Sequence, residues 1–117
     1  MALFGGKGPD WVITKTLYES LKASNEMYRL KQRLCPVGDE IVYTACKTSE
    51  PFITDMPLSE KDKKSASQLA KKLTLAQNEA EELLLAKISG CPLVISSKQV
   101  WLESAAKKAG VKTETFK

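Results

Sequence analysis

Histidine is absent from the 117-residue sequence. The commonest general base and the commonest zinc ligand are therefore missing. A cysteine nucleophile would have no histidine to activate it. Cysteine itself is scarce: Cys35, Cys46 and Cys91 stand far apart, with no C-x-x-C pair. An odd, dispersed set fits free thiols in a reducing compartment better than a disulfide framework. Each lies among apolar neighbours, where cysteine behaves as a small hydrophobe. Arginine is limited to Arg29 and Arg33, four apart on one predicted helix and suited to Glu26 or to an acidic partner. No apolar run approaches the roughly 20 residues that cross a bilayer. The opening Met-Ala-Leu-Phe-Gly-Gly-Lys-Gly-Pro lacks the apolar stretch of a secretory signal. An intracellular, soluble protein that makes no membrane contact is expected.

What is present is ordinary for a globular chain: 43% hydrophobic and 27% charged residues, with a net charge of +4. The length fits one domain with a core of its own. Residues 1–9 read as a glycine-rich lead-in, and 10–117 as the domain. Gly5, Gly6 and Gly8 do not make a phosphate-cradling loop, because no strand precedes them and no G-K-[ST] follows. Paired carboxylates occur at Asp39-Glu40, at Glu60 and Asp62, and at Glu79, Glu81 and Glu82. They sit at turns or helix starts, where the helix dipole explains them. No group there has an evident reason for a perturbed pKa, so no enzyme activity, metal site or cofactor is expected.

Two readings fit the first apolar stretch. Either one long amphipathic helix starts after Asp10, or a short strand over 10–14 feeds a helix over 16–34. The β-branched run Val12-Ile13-Thr14 favours the strand. Pro36 and Gly38 then stop the helix. Residues 40–46 and 52–54 read as strands. Residues 59–89 form one long helix or two split near Thr74, opened by the cap Ser59. Asn78 to Glu81 offers a second cap, and Gly90 a helix end. Residues 92–95 are a short apolar strand. Ser96 to Gln99 is a capping box for a last helix, which Gly110 ends. Residues 111–116 are extended. Strand and helix alternate, which predicts an α/β fold with a small, mainly parallel four-stranded sheet flanked by helices. A mostly helical fold is the alternative.

The C-terminal third resembles a BRCT domain. Gly90-Cys-Pro-Leu-Val-Ile-Ser96 stands for the family's glycine and short apolar strand. Trp101-Leu-Glu-Ser104 stands for its tryptophan-led last helix. Gly110 and Thr113-Glu-Thr-Phe116 stand for the closing glycine and tail. The resemblance covers about 35 residues closely, and the rest loosely, with strands at 11–14, 41–44 and 52–54 and a first helix at 16–34. It implies that Gly90, Trp101 and Gly110 are structural, with Trp101 a core residue of the last helix.

The resemblance further implies a protein–protein interaction module that scaffolds a nuclear complex of DNA repair, checkpoint or chromosome maintenance. The family's phosphate pocket would draw on Thr14, Lys15 and Thr16, although Lys15 stands where a glycine is expected. The pocket's threonine and lysine fall on Ala80 and Glu82, and a glutamate repels phosphate. Binding of unphosphorylated partners is therefore expected over phosphopeptide binding. Leu69, Leu73, Ala76, Ala80 and Leu83 have near-heptad spacing and form a candidate partner face if 59–89 is one rod. A small, mostly helical accessory subunit of a multi-protein assembly is the alternative function. Lys61, Lys63, Lys64, Lys71 and Lys72 offer a weak route to the phosphate backbone of nucleic acid, without interleaved aromatics or arginines to read bases.

Overall fold

The computed structural model describes residues 10–36, 38, 40–46, 48 and 50–116. The glycine-rich lead-in lies outside the described residues. Five strands, β1 (Trp11–Ile13), β2 (Val42–Thr44), β3 (Ile53–Asp55), β4 (Leu93–Ser96) and β5 (Thr113–Phe116), form one sheet in the order β3-β2-β1-β4-β5. All four pairings are parallel. Five helices accompany them: α1 (Lys15–Ala23), α2 (Met27–Leu34), α3 (Glu60–Leu73), α4 (Gln77–Ser89) and α5 (Val100–Ala109). The chain is α/β, as the alternation predicts, and the sheet overturns the mostly helical alternative.

The sheet has five strands rather than four, because the extended tail pairs with β4 from Leu93↔Thr113 to Ser96↔Phe116. Successive strand residues face opposite sides. Val12, Leu93 and Ile95 point into a core with α4 and α5, where Leu83, Ala86, Leu102 and Ala106 are buried. Ile13, Val42 and Val94 point the other way, against Leu17, Leu21, Leu30 and Leu34 of α1 and α2. All four residues of β4 are buried, as a strand covered on both faces requires.

The helix expected over 16–34 is broken in two, and 59–89 takes the second of its two readings, a pair of helices split at Thr74. Asn25 takes a left-handed φ of 60° and separates α1 from α2. Thr74, at φ 57°, separates α3 from α4. Asn tolerates that region, while a β-branched threonine does so only at a cost. The broken rod removes the candidate partner seam. Ala80 and Leu83 are fully buried, Leu69 and Leu73 pack against the same core, and Ala76 is exposed. The second cap also moves: α4 starts at Gln77, with Ala76 as its N-cap. Gly90 and Gly110 end α4 and α5 at φ 70° and 78°, the left-handed C-terminal role foreseen for both. Among the described residues, no helix is long and apolar enough to cross a membrane.

Candidate functional site

Strand β1 sits between β2 and β4, and the chain leaves β1 toward β2 but leaves β4 toward β5. The crevice between the C-terminal ends of β1 and β4 is thus the point where the winding reverses. In open parallel sheets this is where ligand sites form. Helix α1 starts directly after β1 and α5 starts four residues after β4, so both N-termini open on this edge.

A buried polar cluster fills the crevice. Thr14 has no exposed surface and caps α1: its Oγ1 accepts from the Leu17 N–H at 3.2 Å. The same hydroxyl donates to Gln99 Oε1 at 2.7 Å. Gln99, also fully buried, accepts a second bond there from the Ser96 N–H at 3.0 Å. This is half of the predicted capping box, but α5 begins at Val100 with Gln99 as its N-cap. Gln99 Nε2 has no hydrogen-bond partner among the described residues.

Glu82 and Glu79 enter from α4. Glu82 is 2% exposed, and its Oε2 accepts from the Lys15 N–H at 2.5 Å. Its Oε1 has no partner among the described residues. Burial pushes the Glu82 carboxyl up to about 8. The nearby Glu79 and Glu81 charges add to that shift, while the bond from Lys15 and the Lys15 charge oppose it. Glu82 is therefore mostly neutral at pH 7. The dipole reading of the 79–82 carboxylates holds for Glu79, in the first turn of α4. It fails for Glu82, which is buried at 2% exposure and disfavoured as the charged form by desolvation. Glu79 is buried and uses both oxygens: Oε1 accepts from the Ala76 N–H at 3.1 Å, and Oε2 from the Trp101 indole N–H at 2.9 Å.

The site residues named from sequence divide. Thr14 lies in the cluster with its hydroxyl turned inward, and Lys15 enters it through its backbone. The side chains of Lys15 and Thr16 are exposed. Trp101 is not the core residue expected of it: it is 51% exposed, held at its nitrogen edge by Glu79. Position 101 lies on the flank of α5, since Leu102, Ala105 and Ala106 take the core-facing stripe. Sequence reasoning missed Glu79 and Gln99 as members of one site. The available signal was the spacing of Glu79 and Glu82 on the same stripe of α4 as Ala80, Leu83 and Ala86.

Other candidates stand apart from this cluster. Two depressions of about 420 and 490 Å³ lie elsewhere, the first against Gly90, Cys91 and Gly110, the second against Tyr28 and Phe52. The three cysteines are half-buried free thiols. Burial, then the Glu40 charge, raises the Cys35 thiol. Arg29 pairs with Glu26 at 3.0 Å, Arg33 approaches Glu114 at 4.0 Å, and both guanidinium groups stack over Phe116. Lys61, Lys63, Lys64, Lys71 and Lys72 are exposed along α3, and Lys63 approaches Glu60 at 4.0 Å. Among the described residues, no group of three or more His, Cys, Asp or Glu could hold a metal. No known protein family matches the chain, and no curated protein is similar to it at a significant level.

Proposed function

We propose that this chain is a protein–protein interaction module resembling a BRCT domain, and that it engages partners without reading phosphate at the end of its first strand. The observation that carries this reading is the Glu82 carboxyl on the Lys15 N–H. A phosphate at a helix N-terminus needs free N–H groups. Here the Lys15 N–H is taken by Glu82 and the Leu17 N–H by Thr14. A buried acidic group stands where the resemblance would place a lysine.

The order of elements supports the resemblance. A strand, a helical segment, two strands, a helical segment, a strand and a final helix follow one another as it implies. The fifth strand and the exposed Trp101 depart from it. The module would serve in a nuclear complex of DNA repair, checkpoint or chromosome maintenance.

Amide NMR with a phosphoserine peptide pool and its unphosphorylated twin tests the phosphate half of this reading. The expected result is no phosphate-dependent shift at the buried Thr14, which reports on the pocket itself and not on the exposed lysines around it. A phosphate-dependent shift at Thr14 would overturn it. Affinity purification of the full chain from its own cells tests the other half. Stoichiometric co-purification of a protein partner is expected, and a chain recovered alone would count against the module.

A further inference from the structure

Trp101 is an unusual surface residue. It is half-exposed, yet its one polar atom already has an internal partner in Glu79, and Glu79 is itself held by the Ala76 N–H. The indole is thus fixed in orientation with its ring presented outward. Next to it in the chain, Val100 is 70% exposed. A rigid, exposed aromatic loses little conformational freedom on binding, which is what distinguishes interface hot spots.

Exposed lysines outnumber the acidic groups around this patch. Lys98 precedes it in the β4–α5 turn, and Lys108 lies two turns further along the Trp101 side of α5. Lys15 is tied by its backbone to Glu82, one turn of α4 from Glu79. All three lysine side chains are exposed. The positive ends of the α1 and α5 dipoles open on the same edge. Two acidic groups lie within the patch: Glu79, bonded to the indole, and Glu103, one turn of α5 from Val100, where the exposed Lys107 stands one turn further along the same side.

We propose that Val100 and Trp101 anchor a docking site for an extended acidic segment of a partner protein, one bulky apolar side chain of which covers the indole while its carboxylates face Lys15, Lys98 and Lys108. This rests on the interaction-module reading and assigns it a surface and a partner chemistry.

The test uses short synthetic peptides rich in Asp and Glu with one central Leu or Phe. Controls replace the acids by Asn and Gln, or the apolar residue by Gly. Amide and indole NMR follows each titration. The acidic apolar peptide is expected to shift Lys15, Thr16, residues 98–104, Lys108 and the Trp101 indole, and both controls to bind more weakly. Trp101→Ala should weaken binding by roughly tenfold or more. Val100→Glu should also weaken it while leaving the unfolding midpoint in place, since that side chain packs on little. Binding indifferent to both substitutions overturns the site, as does equal binding by the peptide without its apolar residue. Preferential shifting of the same amides by duplex DNA would make the occupant nucleic acid and overturn the proposal. Concentration-dependent dimerisation through this face would make the occupant a second copy and overturn it likewise. No shift from any peptide also overturns it. Co-purification of a stoichiometric partner that survives Trp101→Ala would then leave the module reading standing and move the interface elsewhere.

Discussion

Replacing Glu82 by Gln should stabilise the protein, and by an amount that grows with pH. The native carboxyl holds its proton up to about pH 8, against 4.5 for an unperturbed group. The folded state therefore binds a proton that the unfolded chain releases. Below about pH 4.5 both states are protonated and this contribution is fully present. Between that point and about pH 8, stability falls by about 1.4 kcal/mol per pH unit. The loss reaches about 3 kcal/mol at neutral pH and levels near 5 kcal/mol once both states are ionised. Against a total stability of about 5–15 kcal/mol for an ordinary domain, that is a large share.

Glutamine keeps the acceptor for the Lys15 N–H and cannot ionise, so it imitates the neutral acid. Urea unfolding of both proteins from acid to alkaline pH, followed by helical circular dichroism, measures the difference. The gap between variant and wild type should widen by about 3 kcal/mol between pH 4.5 and neutrality. Direct titration of the Glu82 carboxyl carbon by NMR should give a midpoint near 8. Parallel stability curves across the range, or a midpoint near 4.5, would refute the reasoning. Either would mean that water reaches Glu82 and that the carboxylate at the α1 N-terminus is ionised.

Thr14→Val removes the α1 cap and the donor to Gln99 while keeping the volume. It should cost about 2 kcal/mol in urea unfolding, and an unchanged midpoint would argue against the buried network. Leu102→Ala empties a fully buried position in the α4/α5 core. A loss of about 2–5 kcal/mol is expected, and a loss within error would place Leu102 at the surface. Thr74→Gly relieves a left-handed threonine at the α3 C-terminus and should raise the thermal midpoint by the equivalent of about 1 kcal/mol. A lowered midpoint would show the strain is absent. Cys35, its thiol raised by burial, should alkylate more slowly than a free thiol at mildly alkaline pH, and equal rates would contradict that shift.

The α/β alternation was legible because its signals are local. Val12-Ile13-Thr14 and Leu93-Val-Ile95 announce strands by β-branching and continuity, and Gly90 and Gly110 announce helix ends. The interruption at Asn25 was less visible, since it is neither glycine nor proline and nothing in the helical periodicity around it marks a left-handed residue. The split near Thr74 was one of the two readings of 59–89, suggested by the second cap at Asn78 to Glu81. The fifth strand was seen only as an extended tail, since pairing with β4 is a long-range choice that four residues do not advertise. Trp101 misled because its spacing reads as core, when the narrow apolar stripe of α5 is already filled by Leu102, Ala105 and Ala106. The polar cluster was legible in part: Thr14 and Glu82 were singled out, but Gln99 meets Thr14 across 85 residues.

That cluster follows from the topology rather than from any motif. A parallel sheet with short connections sends successive helices back from one edge, so the N-termini of α1 and α5 crowd the ends of β1 and β4. Each brings N–H groups that the helix cannot satisfy. In a wet crevice, water or a ligand anion would meet them. Here α4 delivers one such acceptor from within, Glu82 to the Lys15 backbone N–H; its Glu79 takes the indole N–H of Trp101, while Gln99 ties Thr14 to Ser96. Dryness then dictates the protonation state. A carboxylate sealed at 2% exposure is cheaper to hold as the acid, even beside a helix N-terminus. Burial opposes the charge by more than the bond from the Lys15 N–H and the Lys15 charge favour it, so burial wins. The edge that topology prepares for a ligand is thus closed in its centre, and what remains open to partners is its rim, where Trp101 and Val100 stand.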